Sequence, residues 1–138
     1  FGIPIEKIKK GNPEYEYRQK GKVATLALGY QGGAGSLVSM GALRMGIPED
    51  DLPDIVNRWR MANPHIVQFW STVDAAAREA VNTGRRVELW EGRLVFAREC
   101  DSYNDFMTIQ LPSKRKLYYA KPHMGRNRFG NPSLCYMG

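Results

Sequence analysis

Apolar positions recur with a helical period up to Gly84 and with a two-residue period beyond it. The first helix is expected to start at Asn12-Pro13 and to run to about Leu28 or Tyr30. Asn is a good N-cap, Pro suits the first helical position, and Glu14 and Glu16 complement the positive helix end. The stretch Gly29-Tyr30-Gln31-Gly32-Gly33-Ala34-Gly35 then bends or breaks it. Leu37, Val38, Met40 and Leu43 predict a short second helix that ends near Gly41 or Gly46.

A third helix should enter around Asp51 to Pro53, with Leu52, Ile55, Val56 and Trp59 at helical spacing. The fourth has the clearest pattern. Asn63 caps it, Pro64 takes its first turn, and Ile66, Phe69, Trp70, Val73, Ala77, Ala80 and Val81 form the buried stripe. Gly84 stands where a left-handed C-terminal cap belongs.

After Arg85 the signals are those of strands. Val87 and Leu89 alternate with charges, and Glu91-Gly92 turns into Leu94-Val95-Phe96. Phe106, Thr108, Ile109 and Leu111 form another strand, which Pro112-Ser113-Lys114 turns into Leu117-Tyr118-Tyr119. Residues from Pro122 to Gly138 read as irregular. The expected fold is α+β: a layer of about four helices over 1–84, then antiparallel hairpins beside it over 85–138, in a single unit spanning 1–138.

Length and composition bound the function without naming it. The 138 residues suffice for one modest core, and no apolar run approaches the roughly 18 residues of a membrane span. No signal-peptide pattern opens the chain, so no membrane partner is expected. Cys100 and Cys135 lie far apart without a partner motif, which suggests reduced thiols in the cytoplasm. The chain begins at Phe1 and stops at Gly138 in mid-pattern, so a piece cut from something longer is expected.

Charge changes the picture more. The net +6 is unevenly spread: residues 1–33 carry six Lys or Arg against three acids, and residues 114–138 carry six and no acid. The segments between are mildly acidic. Two basic ends suggest a surface that meets polyanions at two places, although ordinary solvated Lys and Arg explain the count equally well.

The most informative spacing is Arg18-x3-Lys22-x7-Tyr30. Helix residues four apart lie nearly in line, with a rise of roughly 6 Å per step. Arg18 and Lys22 therefore project from one stripe, which Leu26 continues. Each such step also rotates by about 40°, so Tyr30 falls beside the stripe near the helix end. Two cations one turn apart can straddle a polyphosphate: Arg offers a planar fork, and Lys a compact charge with a transferable proton. Paired cations at this spacing also decorate many solvated helices.

The run from Arg18 through Lys22 and Leu26 to Tyr30-Gln31-Gly32 resembles motif B of the family A, polymerase I-like, DNA polymerases, above all their phage and prophage members. That motif forms the moving face of the fingers. The resemblance implies that Arg18 binds the outer phosphates of the incoming deoxynucleoside triphosphate. It implies that Lys22 binds nearer the reacting phosphate and is a catalytic proton donor to departing pyrophosphate. Leu26 would line the nucleotide site, where many relatives carry Phe or Tyr. Tyr30 and Gln31 would lie near the template, although most bacterial relatives place Gly directly after the Tyr.

The likeness extends to both sides. Phe1-Gly2-Ile3-Pro4-Ile5-Glu6, Trp59-Arg60-x2-Asn63-Pro64-x-Ile66-Val67 and the Val73-to-Gly84 helix are similar to the flanking parts of phage-type fingers. Leu111-Pro112-Ser113-x3-Leu117-x-Tyr119 and Asn127-Arg128-Phe129-Gly130 resemble the β-rich segment that precedes the next palm element. Family A catalysis holds two Mg²⁺ on palm aspartates. Neither palm motif stands in this sequence, so the resemblance implies a Mg²⁺ cofactor bound outside this chain and no activity for the chain alone. Its implied partners are primer-template DNA, deoxynucleoside triphosphates and the palm and thumb of the same polymerase.

Rival signals are weaker. Gly32-Gly33-Ala34-Gly35 lacks the Gly-Lys-Ser/Thr ending of a phosphate loop and reads as a flexible helix end. His65 and His123 are not at metal-ligand spacing, so no metal site is expected in this chain. Asp50, Asp51 and Asp54 suit a helix start, and Trp59, Phe69 and Trp70 suit a core. The basic series Lys114, Arg115, Lys116, Lys121, Arg126 and Arg128 is interleaved with Tyr118, Tyr119 and Phe129. It suits contacts to DNA as well as it suits a solvated turn with core tyrosines. The expected function is a fingers fragment that grips deoxynucleotide and template, in the cytoplasm of a bacterial host. A stand-alone basic nucleic-acid-binding module is the alternative, and a metal-dependent nuclease would need a carboxylate cluster that the sequence does not offer.

Overall fold

The computed structural model describes residues 2–138, so Phe1 of the leading segment lies outside the described residues. The chain divides between Trp70 and Ser71 into two compact units. Four α-helices come first: α1 (Tyr15–Leu28), α2 (Ala34–Ser39), α3 (Leu52–Ala62) and α4 (Pro64–Thr83). Five strands follow: β1 (Val87–Leu89), β2 (Leu94–Cys100), β3 (Asp105–Gln110), β4 (Lys116–Arg126) and β5 (Pro132–Met137). The α+β expectation holds.

In the first unit α1, α2 and α3 enclose a core of Val23, Ala27, Leu28, Leu37, Ala42, Leu52 and Val56. Asn12 does not cap α1. Its side-chain amide donates to the Lys7 carbonyl at 3.0 Å, and the backbone carbonyls of Asn12, Pro13 and Glu14 take up turn hydrogen bonds before the helix settles at Tyr15. The helix therefore begins two residues later than Pro13 suggests. Gly41 and Gly46, both at positive φ, stop α2 and the following 3₁₀ turn Leu43–Met45 in succession. Pro53 sits in the first turn of α3, where its missing N–H costs nothing. Asn63 joins α3 to α4: its amide donates to the Trp59 carbonyl at 2.8 Å, and its own carbonyl accepts from Val67 N at 3.2 Å.

In the second unit the strands form one antiparallel meander in sequence order. Ala76, Ala77, Ala80 and Val81 of α4 pack on Phe96 and Met107, with Leu94, Ile109, Tyr119 and Leu134 around them. Small residues on α4 let the helix approach the sheet closely. Gly84, at φ 72°, ends the helix as expected.

The segment from Pro122 onward is not irregular. It completes β4 and supplies β5, with Met124 opposite Leu134 and Gly125 opposite Ser133. A bulge between Ala120 and His123 shifts the register, with Lys121 at φ 48°. That shift interrupts the alternation by which a strand is read from sequence. The expected hairpins are thus consecutive parts of a single five-stranded sheet.

Candidate functional site

One face of α1 carries two exposed cations one helical turn apart. Val23, Ala27 and Leu28 are buried and fix the rotation of the helix, which leaves Arg18, Lys22, Thr25 and Leu26 exposed on the other side. Arg18 is held rather than free: its Nη1 donates to the Tyr15 hydroxyl at 3.2 Å, and its guanidinium lies 5.7 Å from the Tyr15 ring centroid. Lys22 has neither an ion-pair nor a hydrogen-bond partner among the described residues. Lys20 differs on both counts. It leaves the opposite side of the helix, pairs with Glu16 at 3.0 Å and lies over the Tyr17 ring.

The glycine-rich bend shapes the end of this face. Gly29 is still helical, and Gln31 rather than a glycine takes the left-handed turn, at φ 66°. Gly32 then passes so close to α1 that a Cβ there would stand 1.9 Å from the Ala27 carbonyl oxygen and 2.7 Å from Ser36 Oγ. From α3, Arg60 Nη2 donates to the Gly32 carbonyl at 3.3 Å, while its Nε is buried without a partner. Tyr30 is left 88% exposed beside Gln31. Tyr15 and Arg60 are the residues that sequence reasoning missed. The aromatic three residues before Arg18 was a readable signal, whereas the Arg60 contact depends on tertiary folding.

The structure does not gather the basic series of the second unit into one patch. Lys114 and Arg115 lie in the β3–β4 turn, where Leu111 N donates to the Arg115 carbonyl and Lys114 N to Leu111. Arg126 and Arg128 belong to the β4–β5 turn at the other end of β4, which has 11 residues, a length of about 33 Å. Lys116 is engaged by Glu99 at 2.7 Å, and that contact raises its pKa. Arg126 Nη1 donates to the Gly130 carbonyl at 2.9 Å, and Arg128 stacks over Phe129. Of the interleaved aromatics, Tyr119 faces the core, while Tyr118 and Phe129 are exposed.

Arg98 has a structural task. It grips Asp105 through two hydrogen bonds, at 2.9 and 2.8 Å, and donates a third to the Val81 carbonyl near the end of α4. The Arg98 hydrogen bond holds the Asp105 carboxyl below the usual carboxylate range. Asp54 is paired with Arg58 at the start of α3, and Trp59 stacks on Trp70. Both cysteines are free thiols. Among the described residues no three His, Cys, Asp or Glu side chains form a metal-binding group. No described helix is long and apolar enough to cross a membrane.

Comparison with known proteins adds one relationship. Over 139 aligned positions covering the whole chain, 50% of residues are identical to the DNA polymerase of Bacillus phage SP02. The chain is thus similar, from end to end, to one region of a phage DNA polymerase. It spans 20% of the length of that relative. No family model matches the chain, and no solved structure matches it.

Proposed function

We propose that the chain is the fingers region of a phage-type family A DNA polymerase, a nucleotidyltransferase, and that α1 grips the incoming deoxynucleoside triphosphate. The observation that carries the reading is the exposed face of α1, where Arg18 and Lys22 stand one turn apart and Lys22 has no partner among the described residues. The end-to-end identity with a phage DNA polymerase supports it.

Arg18, steadied by Tyr15, presents a planar fork to the outer phosphates. Lys22 neutralises charge nearer the reacting phosphate and gives its proton to the departing pyrophosphate. Leu26 and Tyr30 offer apolar and aromatic surface beyond the two cations, towards sugar and template base. Mg²⁺ would clamp the in-line attack of the primer hydroxyl, but the described residues offer no ligand set for it. Its ligands belong to another part of the polymerase.

Single-turnover kinetics on the full-length polymerase test the assignment. Arg18→Ala should mainly weaken nucleotide binding, because its contacts persist through the cycle. Lys22→Ala should mainly lower the incorporation rate, by about 10²–10⁴-fold. Lys20→Ala, on the other side of α1, should change little. Equal mild effects from all three would reduce α1 to a solvated basic surface.

A further inference from the structure

Alternation along the strands separates two faces of the sheet. Met107, Ile109, Tyr119 and Leu134 pack with α4, so their neighbours Phe106, Thr108 and Tyr118 turn to the opposite face. Beyond the bulge Met124 pairs with Leu134, which places His123 and Cys135 on that opposite face too. Tyr118 stands on this surface near the start of β4, 58% exposed, with its ring 5.8 Å from that of Phe106 in an edge-to-face contact. The Phe106 contact orients the Tyr118 ring, and the exposed part of that ring is available to stack.

Cations stand at both ends of the same strand, although they are shared between its two faces. Residues 114–138, which include all of β4 and β5, hold six cations and no carboxylate. Lys114 and Arg115 mark one end, Lys121 the bulge, and Arg126 and Arg128 the other end, beside a Phe129 that is 73% exposed. Glu99, the β2 carboxylate nearest this track, is engaged by Lys116. From this arrangement we infer that β4 is a binding track for an unpaired nucleic-acid strand, with phosphates on the basic turns and a base on Tyr118. Aromatic rings accept any unstacked base, whereas the bases of a duplex are already stacked on one another. A strand about 33 Å long also matches an extended polyanion better than it would a compact phosphate ligand.

The inference concerns a surface separate from α1, and its test needs no nucleotide incorporation. Fluorescence anisotropy of this chain would be measured with a labelled oligothymidylate of about ten nucleotides and with a duplex of equal length. The single strand should bind more tightly, with a Kd on the order of 10⁻⁴–10⁻⁶ M that weakens with salt. Tyr118→Ala should weaken binding about five- to a hundredfold, while Tyr118→Phe keeps the ring and should retain it. Lys114→Ala/Arg115→Ala and Arg126→Ala/Arg128→Ala should each flatten the slope of log affinity against log salt by about 1.4. Arg58→Ala, which removes a cation paired with Asp54, serves as the charge control. Equal or tighter duplex binding, no effect of Tyr118→Ala, or binding of neither oligonucleotide would overturn the track.

Discussion

Helix α1 and strand β4 both carry basic residues close together in sequence, yet they do different things with them. On α1, four residues of separation bring Arg18 and Lys22 onto one face about 6 Å apart along the axis. On β4, each residue adds about 3.3 Å and reverses the side chain, so a comparable run is spread over two turns and two faces. Sequence proximity therefore means a localised cationic site on a helix and an extended track on a strand. A triphosphate suits the first, and a nucleic-acid backbone suits the second.

Glycine substitution tests how tightly each element holds its charges, and it should give the largest effect. Gly32→Ala would drive a Cβ to 1.9 Å from the Ala27 carbonyl oxygen, a backbone atom that cannot swing aside. The end of α1 must then shift, at a cost of about 1–3 kcal/mol, and Tyr30 shifts with it. Gly125→Ala on β4 would have its one tight contact with Cys135 Sγ at 3.0 Å, a side-chain atom able to yield by a few tenths of an ångström. Its cost should be clearly smaller. Chemical denaturation of the two variants would decide the matter, and equal losses would mean that the bend is no more constrained than the strand.

The legible parts of this molecule were those written in local periodicity. The α4 stripe from Val73 to Val81, the Pro64 start and the Gly84 stop follow from spacing and backbone preference, and so does the exposed pair on α1. Ile66 and Phe69, expected in the same buried stripe, are exposed instead. What escaped depends on long-range geometry. The bulge at Ala120–His123 hid β5, because a register shift looks like the loss of a strand. The Arg98 bridge from Asp105 to the Val81 carbonyl, and the reach of Arg60 to Gly32, join residues that nothing in the sequence marks as neighbours. The bend itself was expected, but its left-handed residue was not: the strain falls on Gln31 among glycines.

Acid should loosen the sheet by a smaller amount, through Asp105. Its carboxyl titrates below the ordinary value of 3.8 because the folded chain supplies the Arg98 hydrogen bonds. A depressed folded pKa adds stability above the unfolded value and loses it as pH falls through the folded one. The pair thus protects the sheet at neutral pH and fails only below the usual carboxylate range. Asp105→Asn should flatten the pH dependence of stability in that acid window while lowering stability at neutral pH. Following the β2–β3 amides by hydrogen exchange from neutral pH down to about pH 2 would show it. An unchanged profile would remove Asp105 as its source.

The smallest effect, and the finest probe of the helix side of the comparison, is Gln31→Gly. A side chain in the left-handed region costs roughly 1–2 kcal/mol, and glycine avoids that cost. Glycine also adds about 0.5–1 kcal/mol of unfolded-chain entropy to be lost on folding, so the two terms nearly cancel. The net gain should be below about 1 kcal/mol, with a melting temperature raised by no more than a few degrees. Lys114 offers the matching position in the sheet, at φ 70° in the β3–β4 turn. Lys114→Gly should relieve a similar strain, but it also removes a cation from the proposed track, so oligonucleotide binding should fall as stability holds. Gln31→Gly removes no charge and leaves Arg18 and Lys22 in place. If it stabilises the fold and incorporation is unchanged, Gln31 is there only to turn the chain. If incorporation falls while the melting temperature rises, the Gln31 side chain meets the template, as the motif resemblance implies. A lower melting temperature would show that the Gln31 side chain makes contacts worth more than the strain it carries.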